Sequence, residues 1–537
     1  MKWRHDPPPQ LLRERSSVPL KTEKRTERSF CMKRFLMCGL AALLLVSGTN
    51  FVMAAAPANA EAAAAGKETT AEKSAEPAGK ETGKSAALLP LNQREARRSP
   101  EWIQKAVLYQ INTRAFTPEG TLKAAAAKLP LLRDAGVTVI YFCPLFTMDA
   151  DMDQNFWSPR QVQSQLGNPK NPYRMNDYDQ FDPEYGTADD AKALIQTAHE
   201  LGLKVMFDLV YLHCGPRATL VQAHPEFFRR NPDGSIHLTQ WKFPEFDFSK
   251  PEVREYFWQN MEMWVRDFNV DGFRMDVADG IPLDFWEEAR VRIDRIRPDV
   301  CFFAEGTRHQ DQLKAFDWNY GFPFFGTLRS VFDGGKPALD LRRMVERMAA
   351  ERPVGARIVH YLENHDLSND DYQNRIEKRW GGDGVEAALA LIFTLDGAPM
   401  LYCGQEIADV SRHSLYGSRT FGNCVIDWSR LETETGRERF ALCRKFSDLR
   451  LSEDCFTSGK MEWLENDQPE SVLSFCRTLN DKKMLVVIRL KRTAGPVRLT
   501  GVSLDPKAES RLSFRAKPGA EGTLELGEYG WWIGSIQ

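Results

Sequence analysis

From residue 101 onward, short apolar strands alternate with amphipathic helices, and this alternation limits the chain to a few folds. The first continuous apolar runs are AVLYQI (106–111), GVTVIYFCPL (136–145) and LKVMFDLV (203–210). Runs of this kind are typical of parallel strands that are covered on both faces. Further runs of the same kind are 270–277, 300–306, 357–365 and 398–404, and the helices between them include 252–268 and 283–295.

The segment between Gly186 and Gly202 has the features of one complete helix. Thr187 and Asp190 have the spacing of a capping box, and Gly202 is a helix stop signal. One face of this helix is apolar, with Ala191, Leu194, Ile195, Ala198 and Leu201. Such a helix covers one face of a sheet, which fits the strand–helix alternation.

Repeated strand–helix units predict an α/β fold, a (β/α)8 TIM barrel over residues 101–446. The alternative is a doubly wound open sheet, which would bind its ligand at a single switch point. Residues 214–250, after the third strand, are predicted to be a short inserted segment. From residue 447 to 537 the runs shorten and alternate with a period of two, which predicts a C-terminal antiparallel β-sandwich domain.

The N-terminal hundred residues have a different composition. From Met32 a basic start, an apolar stretch and the small residues Ala58-Asn59-Ala60 follow each other, as in an export signal. Residues 1–60 are therefore predicted to be an export region, and residues 61–100 a disordered linker with few large apolar groups. We expect a secreted or periplasmic protein that contacts the membrane only if the signal stays uncleaved.

Overall charge and cysteine content exclude several classes of function. Lys and Arg number 71 against 74 Asp and Glu, a formal charge of −3, which does not favour nucleic acid as a partner. A neutral substrate is favoured instead. Ten cysteines include no C-x-x-C pair, so zinc or dithiol chemistry has little support.

Charged residues interrupt the apolar runs near the ends of four strands, where the functional side chains of a barrel lie. They are Asp208, His213, Arg274, Asp276, Glu305, Asn364, His365 and Asp366. Converging carboxylates suit glycoside cleavage, in which one ionised group attacks the anomeric carbon and a second, protonated group releases the leaving oxygen. Arg274 lies two residues from Asp276, on the same strand face, and is expected to depress the pKa of that carboxyl group.

The ordered motifs YQINTRAF, DLVYLH, DGFRMD, FFAEG and ENHD resemble those of the alpha-amylase family, glycoside hydrolase family thirteen. The resemblance covers roughly residues 101 to 537. It implies that Asp276 is the nucleophile, Glu305 the general acid/base and Asp366 the stabiliser of the transition state. It also implies that Arg274 orients the nucleophile and that His213 and His365 bind the glucosyl unit at the cleavage point.

Two aromatic residues are further candidates for substrate binding. Tyr173 in NPYRMNDYDQFDPEYGT matches the aromatic platform under the sugar in the family pattern, and Trp157 in NFWSPRQ is either a sugar-binding aromatic or a core residue. For His213 and His365 the alternative is a hydrogen-bonded core histidine. Asp208 is expected to be structural, and Arg274 with Asp276 has the alternative of a buried ion pair.

The sequence departs from the family pattern where the family binds calcium. Leu212 stands where the family usually has a calcium-binding Asn, and Asp279-Gly280 stands where it often has Lys-His. We therefore expect no metal ligands and no cofactor. A run of alternating acids in TMDADMDQN (147–155) is a possible separate site, although such acids are more often solvated.

The expected activity is retaining hydrolysis of α-glucosidic bonds in α-1,4-glucans or maltooligosaccharides. Alternatives are a 4-α-glucanotransferase or an α-1,6-acting glucosidase of the same family, since Val277 follows the nucleophile as in members acting on α-1,6 bonds. A non-catalytic sugar-binding protein is a third alternative, but it would not need all three acids. The expected partner is an oligosaccharide or polysaccharide.

Overall fold

The computed structural model describes residues 89–370, 375–422, 424–502, 504–505 and 507–536. The predicted export region 1–60 and residues 61–88 of the predicted linker lie outside the described residues. Among the helices that are described, none combines the length and apolar character needed to cross a membrane.

Eight parallel strands close into a barrel, which confirms the predicted TIM barrel over the open sheet. Each strand pairs with the next along the chain, and the first pairs with the last through Leu108–Met400 and its neighbours. The strands are β1 (Leu108–Ile111), β2 (Val139–Phe142), β3 (Lys204–Leu209), β4 (Gly272–Met275), β5 (Cys301–Ala304), β6 (Trp318–Tyr320), β7 (Arg357–Tyr361) and β8 (Ala398–Tyr402).

Helices surround this barrel and cover its outer face. The longer ones are Leu122–Asp134, Ala188–Glu200, Pro251–Phe268, Leu283–Ile296, Phe322–Phe332, Leu339–Ala350, Ile376–Thr394 and Glu434–Ser452. Shorter helices are Thr113–Phe116, Pro159–Gln163, Thr219–Ala223, His365–Asp370 and Cys455–Ser458. The capping box predicted at Thr187 and Asp190 is present. Between β5 and β6 the described chain forms only a single helical turn, Asp311–Leu313, in place of a full helix.

The inserted segment after β3 folds back over the mouth of the barrel. Residues 214–250 contain the short helix Thr219–Ala223 and the helical turn Pro225–Phe227, and an isolated bridge joins Phe228 to Phe246 within the segment. A second bridge, between His213 and Glu245, ties the segment to the residue that ends the β3 motif. As a result Trp241 and Phe243 lie against the His213 ring, with centroids 5.4 and 5.1 Å away.

The C-terminal β-domain is an antiparallel sheet in the order β12-β14-β11-β10-β9, with β13 also paired to β14. Its strands are β9 (Lys460–Trp463), β10 (Val472–Leu479), β11 (Lys482–Arg489), β12 (Gly495–Val497), β13 (Leu512–Pro518) and β14 (Leu524–Ile536). Strand β11 shows the period of two, because Val486 and Ile488 join the core of the barrel whereas Leu485 and Val487 form a second core.

Two predicted boundaries differ from those observed. Helix Glu434–Ser452 runs across the boundary at 446/447, so the change to antiparallel strands comes after it. Residues 89–100 of the predicted linker contact the barrel. Ala96 N donates to Val354 O at 2.8 Å, and Arg97 pairs with the buried Asp317. Main-chain hydrogen bonds and ion pairs hold residues 89–100 against the barrel. A shortage of large apolar residues therefore did not predict that this part of the linker is ordered.

Candidate active site

A cavity of about 510 Å³ opens at the C-terminal ends of the barrel strands. Six of the predicted site residues line it: Tyr173, His213, Asp276, Glu305, His365 and Asp366. The other lining residues are Ser158, Arg160, Asn171, Trp241, Phe243, Val277, Leu415 and Tyr416. Three separate segments of chain therefore form its walls, and the strand ends form its floor.

Arg274 lies beneath the floor and binds three carboxylates. Its Nη1 donates to Asp208 Oδ1 and Oδ2 at 2.7 and 2.9 Å and to Asp276 Oδ1 at 2.9 Å. Its Nη2 lies 2.9 Å from Glu305 Oε2. One buried guanidinium thus fixes the positions of the predicted nucleophile and the predicted acid/base. It also explains Asp208, which acts as a structural acid behind them.

The pKa of Asp276 is raised, because the expected lowering by Arg274 is present but is outweighed by other effects. Burial is the largest cause, and repulsion from Glu305 and Asp208 adds to it, while Arg274 opposes the rise. The pKa of Glu305 is also raised, mainly by burial, against the opposing effect of Arg274. A single positive charge shared among three carboxylates does not offset their desolvation. Raised pKa values favour retention of a proton by this pair of acids, as an acid catalyst requires.

Val277 contributes through its main chain. It has a left-handed backbone conformation with φ 43°, which is strained for a β-branched residue. In this conformation its N–H donates to Glu305 Oε2 at 2.8 Å. Within the described residues, the ion pair of Glu305 with Arg274 and its side-chain hydrogen bond from Val277 both use Oε2, which leaves Oε1 for a leaving oxygen.

Asp366 is paired with Arg160, a residue that the sequence analysis did not select. Arg160 Nη1 lies 2.5 Å from Asp366 Oδ1, and His365 Nε2 lies 3.7 Å from the same oxygen. Burial opposes ionisation of Asp366, but His365 and Arg160 bring its pKa below the usual value. Asp366 thus differs from Asp276 and Glu305, because its neighbours lower its pKa in spite of burial.

Both predicted histidines are neutral, because burial lowers the pKa of His213 to about 4 and that of His365 to about 3. His213 Nε2 donates to Tyr173 O at 3.1 Å, and its Nδ1 has no partner among the described residues. Gln110 Nε2 donates to His365 Nδ1 at 2.7 Å, so the His365 proton is on Nε2. The Nε2 proton of His365 is thus the one that these hydrogen bonds leave for a sugar hydroxyl, whereas His213 Nδ1 is buried.

Tyr173 has the position expected of an aromatic platform. Its ring stacks on His365 with centroids 5.0 Å apart and planes at 12°. Its hydroxyl donates to Asp208 Oδ2 at 2.7 Å, which orients the ring toward the cavity.

Trp157 is not at the cavity, and its interpretation as a sugar-binding residue is wrong. Its side chain is buried and its Nε1 donates to Asp151 O at 2.9 Å, so it packs within the loop after β2. Trp241 of the inserted segment supplies the indole at the cavity instead.

The sequence analysis did not select several residues that contact the site. A sequence pattern could have indicated some of them but not the others. Gln110 is a polar residue inside the apolar strand β1, the same kind of interruption that identified Arg274 and Glu305. Arg160 lies in a helix of only five residues and Trp241 in an irregular segment, and both are too short of regular structure for a periodicity to indicate which way a side chain points. Only the closed barrel brings them to the strand ends.

The positions at which the family binds calcium do not fit a metal in this chain. A Cβ added to Gly280 would lie 3.1 Å from Leu212 Cδ2, so an apolar side chain fills the space between the two positions. The described residues contain no group of three or more His, Cys, Asp or Glu side chains arranged to hold a metal. In the loop 147–155, Asp149, Asp151 and Asp153 each accept a main-chain N–H two residues on, at 2.7, 3.0 and 2.9 Å.

A parallel barrel with a buried carboxylate pair, a third acid and an aromatic platform at its C-terminal face defines the chain as a carbohydrate-cleaving enzyme. The model of the alpha-amylase catalytic domain matches residues 80–231 and 230–471. The chain belongs to the alpha-amylase family and is a glycoside hydrolase.

Known proteins support this assignment. A cyclomaltodextrinase of Bacillus sp is 24% identical over 469 residues, covering 77% of this chain and 78% of that protein. An intracellular maltogenic amylase of Bacillus subtilis (strain 168) is 23% identical and covers 76% of this chain and 72% of its own. The crystal structure of an alpha-amylase from Lactobacillus plantarum, 22% identical, has the same fold with a TM-score of 0.68, covering 81% of this chain and 99% of that one.

Asp208→Asn is expected to move the alkaline limb of the pH–activity profile to lower pH. The substitution removes a negative charge that raises the pKa of Glu305 and frees Arg274 to lower it further. Because the acid must be protonated, activity is then lost at a lower pH. The measurement is kcat/KM against pH on a maltooligosaccharide, with Asp279→Asn as the control on the same face. If the pH at which activity is lost is unchanged or higher in Asp208→Asn, the assignment of Glu305 as the acid is contradicted.

Proposed function

We propose that this enzyme hydrolyses α-glucosidic bonds of maltooligosaccharides with retention of anomeric configuration. The observation that carries the proposal is the attachment of Asp276 and Glu305 to the two amino groups of one guanidinium, beside a cavity that also holds Asp366. This attachment keeps the two carboxyl groups close together, as direct attack on the anomeric carbon requires. We expect a separation of about 5–5.5 Å, typical of retaining enzymes.

In the proposed first step, an Asp276 oxygen forms a bond to the anomeric carbon while the glycosidic bond breaks. Glu305 transfers its proton to the departing oxygen, and the shortened chain leaves as an alcohol. In the second step Glu305, now ionised, takes a proton from water, whose oxygen displaces Asp276. Asp366 and the neutral His365 orient the sugar hydroxyls, and Tyr173 stacks against the sugar ring.

The side chains that form the cavity walls favour a short α-glucan over a long one as the proposed substrate. Arg160 extends from the loop after β2 to Asp366, while Trp241 and Tyr416 approach from the inserted segment and the loop after β8. The relatives named cyclomaltodextrinase and maltogenic amylase agree with a small α-glucan as substrate. Transfer to a sugar hydroxyl in place of water would use the same acids.

Asp276→Asn is expected to abolish turnover, and Glu305→Gln to lower kcat by about 10²–10⁴-fold, because each removes one of the two carboxyl functions. Hydrolysis of maltotriose is the assay, and unfolding curves check that both variants fold. Glu252→Gln, on the surface, is the matched control and should retain full activity.

Proton NMR of the first product made by the unsubstituted enzyme provides an independent check on this mechanism. An α-anomer supports retention. A β-anomer, or normal turnover by either variant, would overturn the proposed roles.

We also propose that the enzyme needs no structural calcium, on the support of the apolar contact between Leu212 and Gly280. Calcium takes about six to eight oxygen ligands, and Leu212 offers no side-chain oxygen where the family usually has an Asn, while Gly280 offers only its backbone carbonyl. The acids of the loop 147–155 are engaged by the main chain and by arginines, as in the Asp151–Arg217 pair at 2.9 Å.

Chelation is accordingly expected to leave both the thermal midpoint and the activity unchanged. The measurement is a melting curve with and without EDTA, followed by addition of calcium or magnesium. A fall of several degrees that calcium reverses and magnesium does not would contradict the proposal and point to Asp151 and Asp153.

We further propose that the enzyme is exported, to the periplasm or beyond, on the support of the signal pattern that ends at Ala60. The Bacillus subtilis relative is named intracellular, so the proposal depends on the N-terminal sequence alone. Expression of the full chain in a bacterial host should yield mature protein that begins at Glu61 by mass spectrometry. A full-length chain recovered from the cytoplasm would be evidence against export.

A further inference from the structure

The loop after β2, residues 143–187, forms one wall of the cavity with little regular structure of its own. It carries Ser158, Arg160, Asn171 and Tyr173, all of which line the cavity. Within residues 143–187, helical structure is limited to the turn Gln154–Phe156 and the short helix Pro159–Gln163. A wall of this kind needs an internal anchor to hold its side chains in place.

Arg174 provides such an anchor, because its guanidinium is enclosed by oxygen atoms of this loop. Its Nη2 lies 3.0 Å from Asp149 O, 2.8 Å from Asp151 O and 3.0 Å from Pro169 O. Its Nη1 donates to Phe156 O at 3.2 Å. The Asp149 carboxylate, 3.4 Å from Nη2, is a fifth oxygen, and the Arg174 side chain has no exposed surface.

These oxygens require a positive charge at their centre. Four carbonyl dipoles and a carboxylate converge on one buried position, where they would repel each other and lack hydrogen bonds without a cation. A convergent set of carbonyl and carboxylate oxygens is the ligand type that hard divalent cations use in proteins. Here a guanidinium from the same chain occupies that position.

The oxygen atoms around the Arg174 guanidinium, which we call the oxygen cage, come from Asp149, Asp151, Phe156 and Pro169. This cage is connected to the substrate-binding residues on two sides. Arg174 follows Tyr173, whose carbonyl accepts from His213 Nε2 at 3.1 Å. The second oxygen of Asp149, Oδ2, accepts the Arg217 N–H of the inserted segment at 2.7 Å. The guanidinium also donates to the carbonyl of Phe156. Phe156 is close in the chain to Ser158 and Arg160.

We propose that Arg174 is a positioning residue that acts as a tethered cation. Its guanidinium takes the place that a bound metal ion would have in such a cage, and it holds the Ser158–Arg160 wall and the Tyr173 platform against the strand ends. The effect on substrate binding rests on the proposed function, whereas the effect on the loop does not depend on it.

The test compares Arg174→Ala and Arg174→Lys with Arg230→Ala as a matched control. Arg230 also donates to two carbonyls, Gly234 O and Pro225 O, but it is exposed and does not line the cavity. Arg174→Ala is expected to raise KM for maltotriose by about ten- to a hundredfold with a smaller change in kcat, because the substrate wall is misplaced. Limited proteolysis should then cut within residues 149–171.

Added guanidinium ion, at concentrations well below denaturing ones, should restore both protection from the protease and KM in Arg174→Ala. Sodium at the same ionic strength should not. Arg174→Lys keeps the charge but has fewer donors, so it is expected to fall between the alanine variant and the unsubstituted enzyme. The control should match the unsubstituted enzyme in both readouts.

Protease resistance and KM that are unchanged in Arg174→Ala would overturn the proposal, and so would equal rescue by sodium. If the alanine variant does not fold, the lysine variant decides: new cleavage within 149–171 with raised KM supports the role, and behaviour like the unsubstituted enzyme refutes it. The proteolysis test does not depend on turnover. If the unsubstituted enzyme did not cleave maltotriose, that result would count against the proposed function, whereas the proteolysis result would still test the cage.

Discussion

The shortage of positive charge around Arg274 is the constraint on which the site depends. Asp208 and Arg274 are register partners on neighbouring strands, and Asp276 and Glu305 directly follow the ends of β4 and β5. Closure of the barrel therefore brings three carboxylates to one guanidinium. Full ionisation would leave the buried group strongly negative, so retention of a proton is favoured. Burial together with this imbalance raises the pKa values of both Asp276 and Glu305, which favours the protonated acid that glycoside cleavage needs.

The part of the molecule that periodicity controls could be predicted from sequence. Strands such as β3 and β8 are continuous apolar runs, and helix Pro251–Phe268 has a clear amphipathic face. Acids that interrupt such runs must face a site or a partner, which is why Asp276 and Glu305 were recognisable. Strand β6 was missed because three residues, Trp318–Tyr320, are too short to show a period, and no full helix precedes it.

The remainder depends on contacts between distant segments, which a single sequence does not reveal. Trp157 and Trp241 both lie outside the regular strands and helices, yet one packs inside a loop and the other lines the cavity. The pKa of Asp276 has the opposite shift to that expected, because burial and the sharing of Arg274 were invisible from the Arg274-x-Asp276 spacing alone. The spacing of Arg274 and Asp276 in the sequence therefore predicted their contact but not the net shift in the pKa of Asp276.

The separation between floor and walls has a consequence for how this enzyme can change. The reacting groups are attached to barrel strands, whereas Arg160, Trp241 and Tyr416 belong to three segments that do not pair with one another as strands. Replacement of one segment would alter the shape offered to a substrate while leaving the acid pair and its guanidinium in place. The inserted segment and the loop after β8 can thus vary more freely than the loop after β2, whose Arg160 pairs with Asp366 and whose Tyr173 binds Asp208.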